Sequence, residues 1–213
     1  MPEPLYHAAL PAYLDSLVPE RNAVMQEMEQ RARATNFPII GTAAGHSLYQ
    51  ITRMIKAKSV FELGSGYGYS TAWFCKAVQE NGGGVVHHVV WHEDLSRDAR
   101  GYLDRMGYSD LVQFHCSEAV EALKSTPGSF DVIFNDIDKI GYPASIPVIK
   151  ERLNPGGVLM IDNMLWHGRL FDASDHSAES EAIKETTKML ISDPEFITTL
   201  LPIRDGVIVA FRK

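Results

Sequence analysis

The 213-residue sequence has only two cysteines, Cys75 and Cys116, too few for the disulfide framework that staples small secreted domains. Positive charge is also scarce. Lys and Arg number 20 against 27 Asp and Glu, for a net charge of -7, which argues against a general affinity for nucleic acid phosphates or anionic membranes. No apolar run approaches the roughly 20 residues that span a bilayer; Gly156–Ile161 is among the longest. Met1-Pro2-Glu3-Pro4 lacks the basic stretch and apolar run of a secretory leader. Internal repeats and low-complexity tracts are missing too. What is present, 45% hydrophobic and 22% charged residues, is the composition of an ordinary globular protein. The expectation is one cytoplasmic domain, 1–213, whose partners are small molecules rather than nucleic acid or membrane.

Within it, residues 1–56 read as a helical lead-in and 57–213 as the core. Leu10, Tyr13, Leu14 and Leu17 recur at helical spacing within 5–34, as do Val24, Met25 and Met28, with Pro19 between the two sets. A further helix is expected near 42–56. From Ser59 the pattern changes to short, apolar, β-branched segments: Ser59–Leu63, Val85–Trp91, Val112–His115, Asp131–Asn135 and Gly157–Ile161. Such segments suit parallel strands buried on both faces. Helical stretches alternate with them, at Ser70–Gln79, Leu95–Met106, Ala119–Ser125 and Ala144–Leu153, and another follows at 177–192. This alternation predicts an α/β, Rossmann-like doubly wound sheet. Phe196–Leu201 and Val207–Phe211 flank the turn signal Asp205-Gly206, so the seven-stranded, mostly parallel sheet should end in an antiparallel hairpin.

The first core strand runs into Glu62-Leu63-Gly64-Ser65-Gly66-Tyr67-Gly68-Tyr69-Ser70. In open α/β sheets ligands sit beyond the carboxyl ends of the strands, where glycine lets backbone approach closely. A dinucleotide fingerprint would want glycine at position 69, which is Tyr. The acid at Glu62 suits a cationic, phosphate-free ligand such as S-adenosylmethionine better than a pyrophosphate. Gly64, Ser65, Gly66 and Tyr67 are the turn residues that would line it. Asp136, Asp138 and Lys139 follow the fourth strand, and Asp162-Asn163 the fifth. Asp136, Asp162 and Asn163 are hard oxygen donors on adjacent strand ends, a set suited to Mg²⁺, or to Mn²⁺ or Ca²⁺. Lys139 is near enough to act as a general base. His87 and His88 invite a metal reading, but neighbouring strand residues point to opposite faces, which makes them structural.

These stretches resemble the cation-dependent O-methyltransferases of the catechol and caffeoyl-coenzyme A type. The likeness covers roughly residues 35–213 and is most specific at Gly156-Gly157 through Asp162-Asn163-Met164-Leu165-Trp166. It implies an S-adenosylmethionine-dependent enzyme with Asp136, Asp162 and Asn163 as metal ligands, and with Lys139 as the base beside Asp136. Cofactor contacts are implied at Glu62, Gly64, Ser70, Asp138 and Ala119, the last through its backbone near the adenine. Trp166 and His167 fall on the acceptor side of the pocket, and Trp166 with segment 164–175 would form a flap over the acceptor ring. The acceptor is expected to be an aromatic vicinal diol, and the chain a homodimer.

The sequence also departs from that family. Where it usually has a ribose-binding acid, ungapped counting gives Val90, followed by Trp91-His92; Glu93 or Asp94 could serve only if the strand end slips. Trp91 is a candidate to stack on the adenine, and Glu118 to accept from its amine. Rival readings are a nicotinamide-dependent oxidoreductase, a non-catalytic cofactor-binding homologue, and a transferase that needs no metal.

Overall fold

The computed structural model describes residues 7–213. Leu5, Tyr6 and the Met1–Pro4 opening used in the sequence reading lie outside the described residues.

Seven strands form one sheet: β1 (Ser59–Leu63), β2 (Val85–Val90), β3 (Val112–Cys116), β4 (Phe130–Asn135), β5 (Leu153–Ile161), β6 (Phe196–Leu201) and β7 (Val207–Arg212). Their spatial order is β3-β2-β1-β4-β5-β7-β6. Neighbours from β3 to β5 are parallel, while β7 runs antiparallel to both β5 and β6. The expected mostly parallel sheet with a C-terminal antiparallel hairpin is therefore present.

Eight α-helices accompany the strands: α1 (Leu10–Ser16), α2 (Ala23–Thr35), α3 (Thr42–Met54), α4 (Tyr69–Glu80), α5 (Glu93–Arg105), α6 (Ala119–Ser125), α7 (Tyr142–Arg152) and α8 (Ala178–Ser192). Alternation along β1 separates two apolar layers. Val60 joins Met28, Leu48, Phe74 and Leu103 on one face, and Phe61 and Leu63 join Leu123, Ile149 and Ile183 on the other. Both faces are covered, so the strands could be read as nearly continuous apolar runs. No helix among the described residues is long and apolar enough to cross a membrane.

Two boundaries differ from expectation for local reasons. β5 starts at Leu153 rather than Gly157, because Leu153 pairs with Phe130 ahead of a register shift, and Gly156 takes φ +79 in the intervening bulge. α5 starts at Glu93, with Glu93 and Asp94 in the first turn where acids favour the positive end of the helix dipole. Since Val90 pairs regularly with Cys116, the end of β2 does not slip and neither acid becomes its terminal residue.

The lead-in is bound to the core through α2. Asn22 caps it by accepting from the Met25 amide, and Met25, Met28 and Ala32 are buried. The Tyr67 hydroxyl donates to the Met28 carbonyl at 2.9 Å, and the Tyr69 hydroxyl donates to Glu29 at 2.7 Å. Side chains of the glycine turn thus hold the lead-in in place.

Candidate active site

Register places the site. Leu63 pairs with Asn135, and Asn135 with Ile161, so Gly64, Asp136 and Asp162 leave the sheet side by side. Strand order reverses between β1 and β4, the topological switch point where open α/β sheets bind ligands. Gly64 takes φ +88, and a Cβ there would stand 2.5 Å from the Asp136 carbonyl oxygen. Glycine is thus required twice, for its conformation and for the close approach. A narrow cleft follows the turn, lined by Gly64, Ser65, Gly66, Ser70 and Asp136, with Phe37–Ile40 of the lead-in as its far wall.

Glu62 lies behind the turn rather than in it. It is fully buried, accepts from the Thr71 hydroxyl at 2.5 Å, and has one oxygen, Oε1, with no partner. Burial pushes its carboxyl up to about 7 against the opposing influence of the nearby Ser70, Thr71 and Ser65 hydroxyls. Thr71 continues to His88 Nδ1 at 3.0 Å. His87 faces the other side of the sheet, stacked on Phe61 and His115 with 5.2 Å between ring centroids in each pair. The two histidines do point to opposite faces.

A second cleft of about 400 Å³ adjoins the first and is lined by Asp136, Asp138, Lys139, Asn163, Trp166, His167 and Arg204, with Phe37 and Pro38 opposite. The Lys139 ammonium donates to Asp136 Oδ1 at 2.7 Å and to the Ile137 carbonyl at 3.2 Å, and lies 5.2 Å from the centre of the Tyr142 ring. Asp162 is completely buried, and its Oδ2 accepts from Arg204 Nη1. Burial, helped by the negative charge of Asp136, raises the Asp162 carboxyl above the usual range, and Arg204 opposes the rise. Its Oδ1 has no partner and is sealed from the cleft.

Sequence reading missed Arg204, Asp205 and the Phe37–Ile40 wall. The only signal near the first two was the Asp205-Gly206 turn. Asp205, also buried, accepts from Asn163 Nδ2 at 3.0 Å and from the His167 amide at 2.5 Å. The Leu165 and Met164 amides bond the Asp205 and Gly206 carbonyls at 2.8 and 2.9 Å, which fastens the β6–β7 turn to the start of the flap. Asn163, Trp166, His167 and Arg204 all take left-handed backbone, with φ between +48 and +60. That conformation costs about 1–2 kcal/mol for a residue with a Cβ and less for Asn. Concentrated strain of this kind is typical of functional sites.

Other expected contacts lie elsewhere. Trp91 stands at the end of β2 with 67% of its surface exposed. The Glu118 carboxylate caps α6, accepting the Glu121 amide at 2.6 Å, and Ala119 is buried behind it. All three sit at the carboxyl ends of β2 and β3, on the same sheet edge as Gly64 but apart from both clefts. The Tyr67 hydroxyl is committed to α2, and Tyr67 also borders the narrow cleft.

The fit to a divalent cation is poor. Asp136 already holds the Lys139 ammonium, and the only bonded oxygen of Asp162 holds a guanidinium. A cation at Asp162 Oδ2 would have to displace the Arg204 guanidinium from this ion pair. Among the described residues there is no cluster of three His, Cys, Asp or Glu side chains that could hold a metal.

A doubly wound sheet with a glycine turn at its switch point and a charged cleft beside it defines a Rossmann-like protein with a site suited to a small molecule. The chain belongs to the O-methyltransferase family, whose model matches residues 16–213. A Mycobacterium sp. (strain JLS) protein whose name proposes an O-methyltransferase is 26% identical over 208 residues, 96% of this chain and 92% of the relative. The structure is similar to a methyltransferase from Geobacter sulfurreducens, with TM-score 0.83, 26% identity, and coverage of 99% and 98% of the two chains. It also shares its fold with the Bacillus cereus O-methyltransferase in complex with SAH, with TM-score 0.86, 24% identity, and coverage of 96% and 97%.

Proposed function

We propose that this protein transfers a methyl group from S-adenosylmethionine to a hydroxyl oxygen of a small aromatic acceptor. The observation that carries this reading is the level exit of Gly64, Asp136 and Asp162 from three neighbouring strands, which joins a backbone cradle to a charged cleft. Family membership and the SAH bound to the Bacillus cereus neighbour support it.

S-adenosylmethionine supplies a methyl group already activated by its sulfonium, so the chain has to provide alignment and a proton acceptor. Gly64, Ser65 and Gly66 seat the cofactor along bare backbone, with Asp136 offering negative charge beside it. Phe37, Pro38 and Trp166 give the adjoining cleft apolar walls suited to a flat ring. The acceptor hydroxyl enters beside Lys139 and Asp136. As the carbon–sulfur bond breaks and the oxygen–carbon bond forms, the hydroxyl proton passes to the Asp136 carboxylate, which is paired with the Lys139 ammonium. The ammonium stabilises the negative charge that develops on oxygen. S-adenosylhomocysteine and the methyl ether are the products. The divalent cation implied by the resemblance has no step here, because Asp136 and Asp162 already hold cations of the chain itself.

Calorimetric titration with S-adenosylmethionine and with NADH, followed by a methyl-transfer assay on catechol acceptors, tests the reading. Saturable S-adenosylmethionine binding with turnover is expected. Binding without turnover across the acceptor panel would favour the non-catalytic homologue, and binding of NADH alone the oxidoreductase.

A further inference from the structure

We propose that Arg204 is the resident cation of this active site and that its guanidinium occupies the carboxylate a divalent ion would need, so that the protein binds no metal there. The proposal deepens the transferase reading and rests on it for the chemistry, though not for the binding test.

Arg204 lies in the turn between β6 and β7, and its Nη1 donates to Oδ2 of the fully buried Asp162. The arginine side chain is 28% exposed and the aspartate side chain 1%. The guanidinium therefore closes the cleft side of Asp162. Its stem passes close to Gly41 of the lead-in, where an added Cβ would lie 3.6 Å from Arg204 Cδ. Arg204 borders the acceptor cleft and also a separate apolar cavity formed by Leu10, Leu14, Ile40 and Ile203.

The charges are matched pair by pair: Lys139 on Asp136, Arg204 on Asp162. A divalent ion bound to both carboxylates would have to compete with two positive groups already paired to them. Arg204 also adopts φ +52, a backbone state that glycine occupies without strain and arginine does not. A side chain at such a position must supply a compensating interaction, and among the described residues the ionic contact of this arginine is with Asp162. A guanidinium has five N–H donors. Those not spent on Asp162 can hold the acceptor oxygen, the electrostatic service a metal would otherwise give.

The test is calorimetric titration of Mn²⁺ into the wild-type protein, Arg204→Gly and Arg204→Gln, each checked by thermal melting and titrated in parallel with S-adenosylmethionine. Glycine suits the backbone and glutamine keeps bulk without charge. Expected are no Mn²⁺ binding by the wild type at millimolar concentration and at least tenfold tighter uptake by Arg204→Gly, abolished again by Asp162→Asn in the same background. Wild-type methyl transfer should be unchanged in excess EDTA. Stoichiometric Mn²⁺ binding by the wild type that disappears in Asp162→Asn would overturn the proposal. So would folded Arg204→Gly and Arg204→Gln proteins that gain no Mn²⁺ affinity. Failure of every variant to bind S-adenosylmethionine would instead count against the transferase reading, and the Mn²⁺ result would still judge Arg204.

Discussion

Asp205 accepts a hydrogen bond from Asn163 Nδ2 at 3.0 Å, tying the β6–β7 turn to the residue after Asp162 although 42 residues separate the two. With its second bond, to the His167 amide, this buried carboxylate orients both ends of the strained 163–167 segment. Replacing Asp205 by Ala leaves the buried Asn163 side-chain amide and the part-buried His167 backbone amide without partners, at about 1–3 kcal/mol for the buried donor and less for the other. The expected result is a loss of about 2–4 kcal/mol in urea unfolding, and a larger fall in turnover than in cofactor affinity. Asp205→Asn should recover part of both.

Gly64→Ala puts a Cβ against the Asp136 carbonyl at a φ of +88. Strain and overlap together should cost about 2–4 kcal/mol. The β1 and β4 ends must part to accommodate it, so S-adenosylmethionine affinity should fall with stability. Unchanged affinity would place the cofactor elsewhere.

Lys139→Ala removes the cation held by Asp136. A fall in kcat of about 10²–10⁴ is expected, the range of general acid–base effects, with S-adenosylmethionine affinity little changed because the cradle is backbone. Single-turnover assays beside calorimetry separate the two.

Acid should destabilise the protein through the β2 histidines. In the unfolded chain each imidazole takes up a proton near pH 6.5. In the folded chain burial, followed by the neighbouring His115, lowers His87 to about 4, and burial lowers His88 to about 3. As pH falls below 6.5 the unfolded state binds more protons, so stability falls with it. A difference of this size at His87 corresponds to about 3 kcal/mol by pH 4 at 1.36 kcal/mol per pH unit. Urea midpoints measured from pH 7 to 4 should decline less steeply for His87→Phe than for the wild type.

Tyr13 and Leu17 on and beside α1 are 60% and 61% exposed. The homodimer expected from the resemblance would cover them, and light scattering of wild-type protein against Tyr13→Glu/Leu17→Glu should show a dimer converted to monomer. A wild-type monomer would remove the dimer.

The sheet was legible in the residues because parallel strands covered on both faces leave unbroken apolar runs, as at Ser59–Leu63; the antiparallel edge strand Phe196–Leu201 also emerges with the expected ends. Gly64, Asp136 and Asp162 were legible too, since each follows such a strand directly, and Lys139 lies three residues beyond Asp136. β5 was read short because its Asn154-Pro155-Gly156 bulge resembles a loop until Leu153 pairs with Phe130. Glu62 could be placed next to the ligand from sequence, yet the pleat turns it into the interior, where Thr71 takes one oxygen.

Local sequence thus determined the alternation of strands and helices, and with it the sheet edge on which chemistry-bearing residues gather, because periodicity and turn residues act over a few positions. Tertiary structure alone decided what the acids at that edge are bound to. Arg204 and Asp205 reach Asp162, Asn163 and His167 only because β7 lies antiparallel beside β5, an arrangement that no neighbouring residue encodes.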